Sequence, residues 1–152
     1  MPAGAYVIPD KSKLNFFNDT NLLDPTNTFK LTLHTSVFAP NASTLEVYAD
    51  LTNELATGFG YTAGGVTLTG LALSQTAGTV KFTSSPAVFT AAGGSIPVWR
   101  WAVVRAVGTL NGKIDPVVGY FLGDNAPADI PATTDGNTLT ITQNAAGILT
   151  VA

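Results

Sequence analysis

The stretch Thr28-Phe29-Lys30-Leu31-Thr32-Leu33-His34-Thr35 alternates apolar and polar residues without a break. Successive side chains of a strand leave opposite faces. Phe29, Leu31 and Leu33 therefore share one face, and Lys30, Thr32 and His34 the other. This is the pattern of a half-buried strand, and it recurs along the chain. Gly65–Leu73 alternates with a phase slip at Gly70, the mark of a bulge. Thr79–Thr83, Ala87–Phe89, Ile96–Ala106, Val117–Leu122, Thr138–Thr142 and Gly147–Val151 read as further strands. Asn111-Gly112 carries a hairpin signal. Leu45–Ala56 is ambiguous: Thr44–Tyr48 reads as a strand, and Asp50–Leu55 as a helical turn or more strand. Turn signals return at the spacing of sandwiches and barrels. The expectation is an all-β domain, a two-sheet antiparallel β-sandwich, jelly-roll-like ahead of immunoglobulin-like. Phe29, Leu31, Leu33, Leu68, Phe82, Val98, Val118, Leu139 and Ile141 are its expected inward residues.

Residues 1–27 break the pattern. Pro2, Pro9 and Pro25 interrupt them, and no helical period is visible anywhere in the chain. They read as an extended arm ahead of a single domain at 28–152. Tyr6, Val7, Ile8, Phe16 and Phe17 are its candidate contacts with another protein; the competing expectation is that the arm covers its own sandwich.

Composition narrows the chemistry. The chain has 152 residues, of which 45% are hydrophobic and 11% charged, with no Cys and one His. One domain of this size buries a sufficient core without disulfides or metals. A net charge of −3, with 7 Lys+Arg, argues against a phosphate-neutralising groove. No run reaches the ~18 apolar residues of a spanning helix; Ile96–Val107 is interrupted by Arg100 and Arg105. The first residues lack the pattern of a secretion signal, so the sequons Asn18-Asp19-Thr20 and Asn41-Ala42-Ser43 read as chance. No nucleic-acid or membrane partner and no cofactor is expected.

Each candidate motif has an ordinary competitor. Gly58-Phe59-Gly60-Tyr61-Thr62-Ala63 has the form GxGxxA, but a dinucleotide site needs a helix to follow, and here a strand pattern does. His34 lies on the polar face of its strand and reads as a surface residue. Asp50 and Glu54 are a carboxylate pair in spacing only, since a glycosidase pair needs a cleft between groups about 5–9 Å apart. Asp115, Asp124, Asp129 and Asp135 read as solvated loop acids. Trp99-Arg100-Trp101 is the most distinctive feature. In a strand both Trp share a side, packed in the core with Arg100 outward. The competing reading, with Tyr61, is an exposed platform for a glycan or a partner.

Three segments carry a resemblance: Tyr48–Leu55 followed by Gly60–Leu68; Asp115-Pro116-Val117-Val118-Gly119-Tyr120; and Thr138–Ile141 with Asn144–Leu149. From about residue 28 onward the chain resembles a family of small virion structural proteins of tailed bacteriophages. The resemblance implies a β-sandwich on the particle and no catalytic motif. It implies a non-enzymatic protein, made in the host cytoplasm and carried on the virion. The leading expectation is a capsid decoration (cement) protein on the outer surface of the head, with the major capsid protein and neighbouring copies of itself as partners. The alternative is a tail- or adaptor-associated protein that binds a receptor or glycan.

Overall fold

In the computed structural model the residues described are 3–18, 22–144 and 146–151. Asp19 and Thr20 of the sequon at Asn18, other parts of the arm, and Ala145 between the two terminal strands lie outside them. The opening alternation forms β1 (Phe29–His34). It lies in a four-stranded antiparallel sheet ordered β2-β1-β6-β9, with β2 (Val66–Thr67), β6 (Trp101–Ala106) and β9 (Val117–Leu122). Between β2 and β6 come β3 (Ala72–Thr76), β4 (Thr79–Thr83) and β5 (Ala87–Thr90). The remaining strands are β7 (Thr109–Leu110), β8 (Lys113–Ile114), β10 (Thr138–Ile141) and β11 (Leu149–Val151). Among the described residues these form small sheets ordered β11-β4-β3, β10-β5 and β7-β8. The chain is an all-β, sandwich-like fold.

The large sheet is covered on both faces. Phe29, Leu31, Leu33, Ala102, Val104 and Phe121 pack against Phe82, Phe89, Ile141 and Ile148 of the smaller sheets. On the other face Val103, Val117 and Tyr120 pack against Phe38 and Leu45 of the β1–β2 connection. Burial of one such side chain contributes about 1.5–3 kcal/mol. Two-sided cover changes what β1 is. His34 and Thr32 are fully buried, not on the surface, because the 35–56 connection folds back over their face.

Several expectations change in detail. Gly65–Leu73 is not one strand: it divides between β2 and β3 around Gly70, whose φ is +59°. Ile96–Ala106 is continuous only from Trp101; before it, Ile96 and Trp99 make isolated bridges to Thr133 and Ile130. Of the expected core, Val98 is 48% exposed and Leu139 only half-buried, whereas the other seven are buried. Val98 points outward because the chain from Ile96 to Arg100 is not regular strand. The Asn111-Gly112 turn holds, with φ +50° and +69°, between β7 and β8. In β9, Val118 is the extra residue of a bulge, since Val104 pairs with Gly119 and Arg105 with Val117.

The arm is corrected most. Asp10–Asn18 is a helix, α1. Pro9 precedes it, its carbonyl accepts from Lys13 N–H (3.0 Å), and Asp10 stands where the helix dipole favours a negative charge. Before α1 the chain runs along the edge of the large sheet. Gly4 N–H donates to the Leu122 carbonyl (2.8 Å), and Val7 and Tyr120 exchange hydrogen bonds (2.8 and 3.0 Å). The Tyr6 ring packs at a tilt against Phe121, with centroids 4.6 Å apart. Ile8 and Tyr6 reach to within 3.2 Å of where a Cβ on Gly119 would stand, so Gly119 makes room for the arm. Residues 3–18 therefore cover their own sandwich.

Candidate functional site

Two places gather the side chains that sequence reading singles out. The first is internal and polar. Glu54 bridges to His34 at the end of β1. Its Oε1 accepts from the Tyr61 hydroxyl and from Gly64 N–H, both at 2.6 Å; its Oε2 accepts from the Tyr48 hydroxyl at 2.6 Å. The Tyr61 hydroxyl in turn accepts from Leu33 N–H (3.0 Å). Above Tyr48 lies the Arg105 guanidinium, 4.0 Å from the ring centroid. Arg105 pairs with Asp115 (3.1 Å) and donates to the Gly64 carbonyl (3.2 Å). Burial and the hydrogen bond to Glu54 raise the Tyr48 phenol to about 12, and burial pushes Tyr61 higher still. Both remain neutral donors.

His34 is held in one tautomer. The Thr52 carbonyl can only accept, so Nδ1 carries the proton it receives (2.8 Å), and Nε2 is left to accept from the Thr32 hydroxyl (2.9 Å). Burial lowers the imidazole below its usual range, so the ring is neutral. This network ties β1, the 48–65 connection and β6 together. Glu54, His34, Tyr48 and Tyr61 are all engaged by the protein itself, and the ring of His34 lies against Phe38 (4.7 Å).

The GxGxxA segment belongs to the same network. Gly58 and Tyr61 exchange backbone hydrogen bonds (2.9 and 3.0 Å) in a tight turn. A Cβ on Gly60, at φ +92°, would stand 1.8 Å from the Thr90 carbonyl oxygen. The glycines serve close backbone approach, and no helix follows. Tyr61 is 1% exposed, so it offers no platform. Asp50 is not paired with Glu54: its carboxylate caps the N–H groups of Glu46 and Val47 (both 3.0 Å). Asp115, Asp124 and Asp129 serve separate partners: Gly108 N–H and Arg105, Ala126 N–H, and Arg100.

The two tryptophans part company. Trp99, 3% exposed, joins the inner core, whereas Trp101 packs half-buried on the opposite face beside Tyr120 (5.8 Å). The chain is irregular at Arg100, which removes the shared face that a continuous strand would impose. Arg100 does point outward and pairs with Asp129 (2.8 Å).

The second place is the outer surface of α1. Ser12 and Asn15, both polar, face inward, and the Ser12 hydroxyl donates to the Val117 carbonyl (2.5 Å). Phe16 packs against the core. Leu14 and Phe17, three residues apart and so neighbours on one helix face, are exposed, Phe17 by 85%. On α1, then, Ser12 and Asn15 are buried while Leu14 and Phe17 meet solvent together with Asp10, Lys11, Lys13 and Asn18. Around them Lys11 pairs with Glu46 (3.4 Å) and Lys13 with Asp10 (3.0 Å). Of the arm's candidate contacts, Tyr6, Ile8 and Phe16 belong to the domain, Val7 is partly free, and Phe17 is free. Leu14 gives no sequence signal, because of the helix's three large apolar residues only Phe16 turns inward and no inward helical period results. The chain matches no family model, no curated protein and no solved structure.

Proposed function

We propose that the protein is a structural component of a tailed-phage virion, a capsid decoration protein that binds the outer surface of the head. The observation that carries this reading is α1, which buries Ser12 and Asn15 while exposing Leu14 and Phe17. A phenylalanine so exposed loses about 1.5–3 kcal/mol of available burial, and a contact with another protein recovers it. The resemblance of residues 28 onward to small virion proteins supplies the partner, the major capsid protein. The internal network supports a non-enzymatic role, because Glu54, His34, Tyr48 and Tyr61 hold the fold and one another. The glycan-binding alternative keeps only Arg100 and the half-buried Trp101 of its four candidate residues, since Tyr61 and Trp99 lie in the core. The test is quantitative mass spectrometry of purified particles made by the genome that encodes this chain. The reading expects a copy number commensurate with the shell subunit, in the head fraction. Absence from the particle, or a few copies confined to tails, overturns it.

A further inference from the structure

We infer that the cleft beside β10 takes an extended, uncharged peptide segment of a partner protein, added as a strand to the free edge of β10. β10 pairs only with β5, so among the described residues its other edge has no strand. The Asn137 carbonyl accepts from Ala91 N–H (2.9 Å). By the alternation of an antiparallel ladder, Leu139 and Ile141 then turn their backbone groups to β5, and Thr138 and Thr140 turn theirs to the open edge. That edge borders a cleft of about 610 Å³ between Leu139–Asn144 on one side and Ala3, Trp99, Gly123 and Ile130 on the other.

Three properties of the cleft define its occupant. Among the described residues none that lines it is charged, although the chain carries 7 basic and 10 acidic residues; a charged segment finds no counter-ion among them. Its apolar walls, Trp99, Ile130, Leu139 and Ile141, suit apolar side chains at alternate positions, as in strand addition to an open edge. Finally, two buried donors of its lining residues, Trp99 Nε1 and Gln143 Nε2, have no acceptor among the described residues, and the other end of the Gln143 amide is already taken by the Tyr6 hydroxyl. Buried donors without partners are uncommon in folded proteins. Peptide carbonyls are acceptors of the required kind. The edge also lacks the usual protections, since Thr138–Thr142 holds no charge and no proline.

The experiment is an NMR titration of the full, ¹⁵N-labelled chain with an end-blocked pentapeptide alternating threonine and valine. A matched peptide alternating lysine and valine is the control. The indole N–H signal of Trp99, assigned with Trp101→Phe, and the exchange rate of the Thr140 amide are followed. The inference expects a saturable shift of the Trp99 signal and slowed exchange at Thr140 with the first peptide, and a much weaker response to the second. Gln143→Leu, which removes one donor, weakens the interaction about tenfold. No saturable response up to the peptide's solubility limit overturns the inference, as does an equal response to the lysine peptide. A saturable response to N-methylacetamide alone that matches the pentapeptide also overturns it, because the cleft then reads a single amide and not a strand.

Discussion

The Tyr61 hydroxyl donates to Glu54 at 2.6 Å while it accepts from Leu33 N–H at 3.0 Å, so one phenol links the half-buried carboxylate to β1. Removing it leaves the Leu33 N–H and one carboxylate lone pair unmatched inside the protein. Tyr61→Phe is therefore expected to destabilise the fold by about 1–3 kcal/mol, the cost of an unsatisfied buried group. Tyr48→Phe, at a less buried position, is expected to cost less. Urea denaturation of both variants measures the difference, and equal midpoints would contradict the assigned order.

His34 makes stability depend on pH in a defined window. Its folded-state affinity for protons is lowered by burial, so the unfolded chain binds a proton first. The contribution is fully present above the unfolded imidazole value of about 6.5 and declines as pH falls from there toward the lower folded value. Carboxylates held down by partners, such as Glu46 beside Lys113, act only at lower pH. Melting temperature is expected to fall between pH 7.5 and pH 5.5 in the native chain and to stay flatter over that range in His34→Asn. Parallel profiles would show that His34 is not the sensor.

Two glycines separate close approach from conformational freedom. Both Gly60 and Gly93 have positive φ, +92° and +72°, but only at Gly60 does an added Cβ meet backbone, 1.8 Å from the Thr90 oxygen. Gly93→Ala is expected to cost on the order of 1 kcal/mol from φ alone. Gly60→Ala is expected to prevent native folding, seen as loss of dispersed amide signals. A native spectrum for Gly60→Ala would require the 58–61 turn to move away from β5.

What the sequence made legible follows the physics of each segment. Alternation around Phe29, Leu31 and Leu33 located β1 and its core face, because period 2 is intrinsic to a strand. It misplaced His34, since a polar face says nothing of a distant loop folding over it. The Asn111-Gly112 turn was readable because its two positive φ values are local chemistry. α1 was not, because Ser12 and Asn15 face inward and, of its three large apolar residues, only Phe16 packs against the core. A continuous strand gives Trp99 and Trp101 a common face, which an irregular residue at Arg100 abolishes. The Glu54 network was out of reach, since its members are scattered along the chain from Tyr48 and Tyr61 to Arg105 and Asp115 and no spacing rule joins them. The one available signal was the count of aromatic hydroxyls near Glu54.

Phe17 and Leu14 carry the central proposal, and their removal is not expected to disturb the fold. Both side chains are exposed, and substitutions at such positions usually change stability by no more than about 0.5 kcal/mol. The most direct measurement is co-sedimentation of purified chain with particles assembled without it, comparing the native sequence with Leu14→Ser/Phe17→Ser at matched melting temperature. The account predicts that the native chain pellets with the particles to saturation and that the folded double variant stays in the supernatant. Equal binding by the double variant would contradict it.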